Sequence, residues 1–356
     1  MLNDYKGLKL IASSNPHIRN NEDTRSIMLD VIIALCPALI MSVIRFGFRA
    51  LISVLVSVVS AMFFEWLYRK LMNKTQTLGD LSAAVTGILL AFVCPVTLPY
   101  WMLIVGNFFA IFLVKQLYGG LGKNFLNPAL AGRAALVACY TSQMTKWIDP
   151  ASGKAPLFGG ADVVTAATPL AMMKGGEFAE VTAQYSLSDM FIGNIGGCVG
   201  EVSAIALLIG GIYLIARKVI RIRIPLAYIL TVAVLTLVFS RAPEGVNVFT
   251  WMLYELFAGG LFLGAFFMAT DYVTSPSTPK GEIIFGIGAG LLVVFIRYFG
   301  GYPEGVCYSI LIMNICVWLI DKATLPKRFG VTAEMRKAEK EKAKAAKKAA
   351  KEGAEA

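Results

Sequence analysis

Long apolar runs recur along this sequence and are separated by short polar stretches. A helix needs about twenty apolar residues to cross the hydrocarbon core of a membrane. Hydrophobic residues make up 57% of the chain and charged residues only 16%, which excludes an ordinary soluble fold. We therefore predict an all-α polytopic membrane protein with about ten transmembrane helices. They cover residues 26–46, 49–67, 81–96, 98–117, 124–140, 196–216, 224–239, 249–269, 281–299 and 305–320.

These helices divide the chain into five parts. Residues 1–25 are polar and charged and lack the apolar core of a cleavable signal peptide, so we expect a cytoplasmic N-terminal segment. Residues 26–140 and 196–321 hold five predicted helices each, and residues 141–195 form a long polar loop between them. Residues 322–356 are rich in alanine, lysine and glutamate, which predicts a basic, solvated cytoplasmic tail.

The basic residues predict the orientation in the membrane, because lysine and arginine concentrate in short cytoplasmic loops. With a cytoplasmic N-terminus, the short inside loops contain Arg69, Lys70, Lys74, Lys115, Lys123, Arg217, Lys218, Arg221, Arg223 and Lys280. The short outside loops contain only Arg45, Arg49, Arg241 and Arg297. We predict a multi-pass protein of the inner (cytoplasmic) membrane with both termini cytoplasmic and loop 141–195 extracytoplasmic.

Histidine and cysteine usage excludes several cofactor classes. His17 is the only histidine, which excludes haem and histidine-based metal centres. The six cysteines lie apart, mostly within apolar runs, which favours buried thiols over a disulfide or a cluster. We predict no metal site and no catalytic side chain. The net charge of +10 lies largely in loops and tail and is not interleaved with aromatic residues, so we expect no nucleic-acid partner.

The two halves of the chain resemble each other. Residues 87–95, at the end of the third predicted helix, resemble residues 264–271, at the end of the eighth. In each half a pair of glycines follows one helix later, at 119–120 and at 300–301. The halves are offset by five helices, an odd number, so equivalent loops must face opposite sides. We predict two inverted five-helix repeats, an architecture that gathers sites near its pseudo-twofold axis. The proline-containing pieces at 94–99 and 272–279 are then expected to be buried or to line a cavity.

The long loop contains the string Asp162-Val-Val-Thr165-Ala-Ala-Thr168-Pro169-Leu170. A threonine hydroxyl stays protonated at neutral pH, but it can be esterified when a separate enzyme delivers a phosphate to an accessible loop. The spacing resembles the acceptor motif of proteins that carry flavin mononucleotide (FMN) covalently on the last threonine. Taken alone, the string also fits an ordinary Thr-Pro turn.

Four further motifs extend the resemblance over nearly the whole chain. They are Gly-Gly-Leu-Gly-Lys-Asn-Phe-Leu-Asn-Pro-Ala at 119–129, Phe-Met-Ala-Thr-Asp at 267–271, Tyr-Pro-Glu-Gly at 302–305 and Leu-Ile-Met-Asn at 311–314. In this order, the set resembles the D subunit of the Rnf complex, the membrane-bound ferredoxin:NAD oxidoreductase. It is also similar to the related B subunit of the sodium-pumping NADH:quinone oxidoreductase. The short region before the first predicted helix favours the Rnf protein.

The resemblance implies a function and partners. It implies a subunit of a complex that couples electron transfer between ferredoxin and NAD to translocation of Na⁺ or H⁺. It implies FMN esterified to Thr168 by a dedicated flavin transferase. We expect Thr165 and Asp162 to shape the turn or to be recognised by that enzyme. Iron–sulfur clusters, ferredoxin and NAD are expected on the other subunits of the complex.

A second flavin site is predicted on the opposite face. Glycines within 118–124 let backbone approach a flat ligand, and Asn124 and Asn127 offer donors and acceptors for a flavin edge. The alternative is a tight turn followed by a helix cap. The quinone-reducing relative holds a non-covalent riboflavin in this part of its fold, so the resemblance implies riboflavin near Asn124 and Asn127.

Other function classes stay open on the residues alone. A small-solute channel or transporter fits an inverted repeat equally well, since a fold does not fix function, but it has no use for a flavin acceptor loop. Acidic residues in the predicted helices argue against a purely structural anchor, because they are costly there and mark ion paths or cofactor contacts. These are Asp30, Glu65, Glu201, Glu255 and Asp271, of which we expect Glu201 and Glu255 to be the buried ones.

Overall fold

The computed structural model describes residues 23–148, 156–157, 167–302 and 304–326. In these ranges the regular structure is helical, apart from isolated bridge residues that include the pair Pro95 and Cys198. Helices α1 to α15 are Thr24–Phe46, Phe48–Leu71, Ser82–Phe92, Tyr100–Gln116, Pro128–Cys139, Thr141–Met144, Pro169–Gly175, Phe178–Gln184, Leu187–Ile192, Ala204–Ala216, Arg223–Val238, Val248–Phe257, Leu261–Met268, Pro279–Phe299 and Val306–Thr324. Two segments, Phe108–Gln116 in α4 and Gly264–Met268 in α13, are wound as π-helix.

The lengths and surfaces of these helices identify a membrane protein. Helices α1, α2, α14 and α15 are each long and apolar enough to cross a membrane, and α12 and α13 qualify together as a pair bent by 62°. The remaining apolar helices, α3, α4, α5, α10 and α11, have 10–17 residues. Large apolar side chains such as Ile40, Val59 and Trp318 point outwards and are more than half exposed, as lipid-facing residues are. The chain is a multi-pass helical membrane protein.

Local sequence explains where α1 begins and ends. Asp23 caps its first turn: the Ser26 amide donates to Asp23 Oδ1 at 2.7 Å, and the Asp23 amide donates to Ser26 Oγ at 3.1 Å. The helix ends at Gly47, whose φ of 82° is a conformation that L-residues rarely adopt, and α2 starts directly after it. The reversal places α1 and α2 side by side.

Helix α3 lies in the centre of the protein, with ten of its eleven residues buried. Gly87 allows it to approach α2 closely, because a Cβ there would lie 2.9 Å from the Ser57 carbonyl oxygen. The sequence predicts this helix to continue to residue 96, but it ends at Phe92. The following segment contains Pro95 and Pro99, which cannot continue the ladder of hydrogen bonds.

The carbonyls freed at the end of α3 are satisfied by another part of the chain. The Gly200 amide donates to the Phe92 carbonyl at 2.8 Å, and the Val199 amide donates to the Cys94 carbonyl at 3.1 Å. Arg49 Nε donates to the Val96 carbonyl at 2.8 Å. Irregular backbone at this depth is therefore paired within the protein, as a membrane interior requires.

The break between α12 and α13 has a similar physical basis. The sequence predicts one helix over 249–269, but the chain departs from the helix at Ala258, and Gly259 takes a φ of 75°. The freed carbonyls of Glu255 and Ala258 accept from Arg297 at 2.6 and 3.2 Å. The Gly260 amide donates to Glu304 Oε1 at 3.3 Å. Charged side chains of other segments thus stabilise the bend.

The helix ends define two faces of the molecule. The terminal face carries the start of α1 and the ends of α10 and α15, and there Ser277 donates its amide to Asp321 at 3.1 Å. The loop face carries the end of α1 and the short helices α7 to α9, and there Arg45 donates to Asn194 at 3.0 Å. Helix α1, with 23 residues, separates the two faces by about 35 Å at 1.5 Å per residue.

Candidate functional site

Thr168 sits at the start of α7 on the loop face. Its Oγ1 accepts a hydrogen bond from the Ala171 amide at 3.2 Å, and Pro169 occupies the first helical position, a favoured arrangement for a helix start. Within the described chain this hydroxyl is an acceptor only. Esterification replaces the hydroxyl proton and keeps the oxygen, so the cap is compatible with a phosphoester at this side chain.

The pocket around Thr168 is built from several distant segments. It is lined by Trp147, by Ile195, Gly196 and Gly197, and by Glu201, Gly259 and Glu304. The turn after α14 lies beside Thr168, because Glu304 belongs to that turn. The other two acceptor-motif residues, Asp162 and Thr165, lie outside the described residues.

Two contacts hold α7 against the membrane helices. Lys174 Nζ donates to the carbonyls of Gly300 and Tyr302, the latter at 2.9 Å. On the other side, Leu170 and Met173 are buried in a small apolar cluster with Trp251 and other residues of α8, α9 and α12. Helix α7, which carries Thr168, is therefore fixed both to the turn after α14 and to α12.

Helix α9 completes the loop-face layer. Ser186 and Asp189 form a reciprocal cap, with the Asp189 amide donating to Ser186 Oγ at 3.2 Å. Hydrogen bonds from the Ser186 side chain and backbone lower the pKa of Asp189, and the Asn194 amide and Arg45 add to the effect. An ionised Asp189 thus ties the end of α9 to the end of α1 through Asn194 and Arg45.

A buried charged cluster lies directly beneath the Thr168 pocket. Arg133 of α5 donates to Glu304 Oε2, and its Nη1 lies 3.7 Å from Glu201 Oε1. Arg133 and Glu201 are each 7% exposed. The arginine that interrupts the fifth predicted helix therefore serves as the partner of two carboxyl groups from the other half of the chain.

Three of the other acidic residues in the predicted helices also have basic partners, whereas Asp271 accepts from the Thr274 hydroxyl at 2.9 Å. Arg297 binds Glu255 at 2.8 Å, and Lys115 binds Glu65 at 2.9 Å. Arg217 and Tyr213 bind Asp30 at 3.1 and 2.8 Å. The expectation that Glu201 and Glu255 are buried is correct, but Glu65 is buried as deeply, at 1% exposure. The assignment of Lys115 to an inside loop was wrong: it lies within α4 and is 2% exposed, and a basic residue in an apolar run was the signal for a buried acidic partner.

Asn124 and Asn127 lie together on the terminal face, with roles beyond ligand contact. Asn127 caps α5: its Oδ1 accepts from the amides of Ala129 and Leu130 at 3.1 and 3.4 Å, and its Nδ2 donates to the Met268 carbonyl at 3.2 Å. Asn124 Nδ2 donates to the Leu126 carbonyl at 3.1 Å. The capping alternative is therefore the observed one for Asn127.

Both asparagines nevertheless line the same cavity. Its wall includes Lys115, Asp271 and Phe266, together with the start of α3. The empty space between its lining residues is about 740 Å³ when the opening to solvent is counted. The part that is wide enough for a water molecule is only about 80 Å³. Gly119, Gly120 and Gly122 have φ between 89° and 119°, which favours glycine, and Leu121 of the same turn lines the cavity.

The comparisons with known proteins agree with these motifs. A family model described as the NQR2, RnfD, RnfE family matches residues 11–330. The D subunit of the Na(+)-translocating ferredoxin:NAD(+) oxidoreductase complex of Acetobacterium woodii is 48% identical over 327 residues, covering 91% of this chain and 96% of the relative.

Two further relatives extend the comparison. The D subunit of the proton-translocating ferredoxin:NAD(+) oxidoreductase complex of Clostridium ljungdahlii is 43% identical, covering 89% of this chain and 95% of the relative. The D subunit of the ion-translocating oxidoreductase complex of Actinobacillus succinogenes is 36% identical, covering 89% and 97%. The chain therefore belongs to the NQR2, RnfD, RnfE family, and within it these three relatives match it nearly from end to end.

Proposed function

We propose that this chain is the flavin-carrying membrane subunit of a complex that couples electron transfer between ferredoxin and NAD to translocation of Na⁺ or H⁺. The relatives' names support the complex and the reaction, and they include both a sodium- and a proton-translocating form. They favour the Rnf-type complex over a quinone-reducing one or a channel. We expect the other subunits of the complex to supply the sites for ferredoxin and NAD.

Thr168 carries FMN through a phosphoester in this proposal. The supporting observation is its position: the hydroxyl opens α7, accepts rather than donates in the described structure, and faces a pocket between the loop segment and the second half of the chain. FMN supplies the redox chemistry when attached, and the protein supplies position and electrostatics. Lys174 and the apolar contacts of Leu170 hold the attachment point in place.

Removing the hydroxyl tests this assignment. Thr168→Val keeps the shape of the side chain, so we expect the protein to insert while its flavin fluorescence on a denaturing gel disappears. Thr182→Val, at an exposed threonine on the neighbouring helix α8, is the matched control and should keep full fluorescence. Fluorescence at the wild-type level in Thr168→Val would contradict the assignment.

A non-covalent riboflavin occupies the terminal-face cavity in this proposal. Asn124, Asn127 and Leu121 of the glycine turn line that cavity, which supports the second site. Because the open part of the cavity is small, the ring requires side chains such as Phe266 to move apart. Riboflavin there would extend the electron route from the loop face towards the terminal face.

The hydrogen bonds of Asn127 shape the riboflavin test. Asn127→Leu removes the α5 cap, which costs about 1 kcal/mol of protein stability. A loss of riboflavin in this variant would therefore not separate lost binding from lost stability. Asn127→Asp retains the capping oxygen and removes the amide donor, and Asn124→Leu leaves the cap intact. We expect less riboflavin in acid extracts of both variants with unchanged FMN on Thr168. Full riboflavin in both would reject this placement.

The chain forms two inverted five-helix repeats with ten membrane crossings in this proposal. Packing supports it, since α1 lies along α10 and α5 lies against α15. Each of these pairs joins a helix of the first half to its equivalent in the second half, as expected for helices next to a twofold axis. The broken elements α3 and α12–α13 occupy equivalent positions in the two halves. Basic residues of the terminal face support an inner-membrane location with that face cytoplasmic. The flavin transferase would then act on the extracytoplasmic side.

A further inference from the structure

The charged cluster beneath Thr168 has more carboxyl groups than basic partners. Arg133 supplies one positive charge, while Glu201 and Glu304 supply two carboxyl groups. Both carboxyls point at the break between α12 and α13: a Cβ at Gly260 would lie 2.5 Å from Glu201 Oε1 and 2.7 Å from Glu304 Oε1. The two groups are thus held at the same point of the backbone.

The surroundings supply no further compensation within the described chain. The other titratable or charged groups near the cluster are Cys94, Cys198, Cys307, Tyr228, Tyr308 and Arg297. Cysteine and tyrosine side chains cannot supply a positive charge. Arg297 is engaged by Glu255, and the cysteines are buried thiols. With both glutamates ionised, the cluster would hold one uncompensated buried negative charge, which is expensive. Two carboxylates at one site resist simultaneous ionisation.

One carboxyl oxygen of Glu201 lacks a partner that would compensate its charge. Its Oε1 is buried and has no hydrogen-bond partner among the residues that the structure describes. The 3.7 Å separation from Arg133 Nη1 is too long for a hydrogen bond. Glu304, in contrast, accepts from both Arg133 and the Gly260 amide. The oxygen without a partner belongs to the carboxyl that Arg133 holds less closely.

We propose that Glu201 and Glu304 form a proton-binding site in which the two carboxyl groups share one proton and Arg133 compensates the remaining negative charge. A proton fits the pair, because it gives Glu201 Oε1 the partner that it lacks and because the described residues include no set of three or more potential metal ligands from His, Cys, Asp and Glu. Loss of the proton would leave two carboxylates facing each other at Gly260, and their repulsion would act on the bend between α12 and α13. This site stands whether or not Thr168 carries FMN.

Infrared spectroscopy of the purified membrane complex tests the site. A protonated carboxyl shows a carbonyl stretch that an ionised one lacks. We expect one such band at neutral pH to disappear both in Glu201→Gln and in Glu304→Gln, because either single carboxyl that remains would ionise against Arg133. Glu65→Gln, at a buried carboxyl that Lys115 binds at 2.9 Å outside this cluster, is the matched control and should leave the band unchanged.

Three further arms keep the outcome decisive. Uniform ¹³C-labelling of glutamate in the wild-type complex should shift the band, even if a variant fails to assemble. Replacing choline by sodium ions should leave the band in place, and Thr168→Val should also retain it. A band that is absent in the wild type, that survives in both glutamine variants, that does not shift with the label, or that vanishes on adding sodium would overturn the proposal.

Discussion

At the scale of single residues, buried ion pairs organise this protein. Glu255 and Arg297 are both nearly inaccessible, and Arg297 also donates to the two carbonyls freed at the bend. Glu282, in contrast, is bound by Arg221 and Arg223, whose side chains are largely exposed. A buried pair is poor evidence of net stability, yet removing one partner leaves an uncompensated charge in the interior.

These two environments predict different responses to the same substitution. Arg297→Gln should lower the free energy of unfolding by about 3–5 kcal/mol, since it strands Glu255 and two carbonyls. The double variant Glu255→Gln/Arg297→Gln should lose less. Thermal unfolding in detergent measures both. Arg221→Gln is the exposed control and should change stability by less than about 1 kcal/mol. Equal losses in Arg297→Gln and Arg221→Gln would refute the distinction.

The residue chemistry could be predicted from sequence only in part. An acid within an apolar run signals burial or function, and this identified Glu201 and Glu255. It could not identify partners, because Arg133 and Glu304 are 171 residues apart and meet only through the packing of α5 against the second half. Asn127 was equally ambiguous, since a capping asparagine and a ligand-binding one have the same sequence pattern.

At the scale of elements, glycines determine how closely helices pack. Gly210 of α10 faces α1, where a Cβ would collide with the Ala34 carbonyl oxygen and lie 2.9 Å from the Phe267 ring. The neighbouring Gly211 lies as close to the Phe266 ring. This small-residue surface lets α10 contact both α1 and the buried helix α13.

A single methyl group should therefore disturb this contact. Gly210→Ala forces α1 and α10 apart, and we expect a loss of about 1–3 kcal/mol in the free energy of unfolding from overpacking. Gly79→Ala, where a Cβ meets nothing within 4 Å, provides the control and should be close to neutral. Thermal unfolding of the two variants side by side measures the difference. An unchanged midpoint for Gly210→Ala would mean that α1 and α10 are less closely packed than described.

Element boundaries were harder to predict than element order. Hydropathy detects apolar runs and so detects the outer helices well, but α3 and α12–α13 are interrupted where irregular backbone is paired by distant groups. The interruptions depend on segment 198–200, Arg49, Arg297 and Glu304. Local sequence gave a hint in Pro95 and in Gly259–Gly260, but glycine and proline also occur in uninterrupted membrane helices.

At the scale of the whole molecule, orientation in the membrane follows from the basic residues. Single cysteines placed at Ser152 and at Ala343, both outside the described residues, should label from opposite sides of intact cells when the native cysteines are replaced. The reason is that Ser152 belongs to the predicted extracytoplasmic loop 141–195 and Ala343 to the predicted cytoplasmic tail. A membrane-impermeant thiol reagent makes the measurement, with a permeant reagent as the control. Labelling of both positions from one side would contradict the orientation and the inversion of the repeats.

The central claim, that Thr168 is the attachment point of a flavin, is tested most directly by peptide mass spectrometry. The purified chain is digested, and the peptide that contains residues 162–170 is fragmented to locate any added mass. We predict the mass of FMN linked through its phosphate to Thr168, with Thr165 unmodified, and the unmodified peptide alone in Thr168→Val. An unmodified wild-type peptide, or FMN on Thr165 instead, would contradict the account.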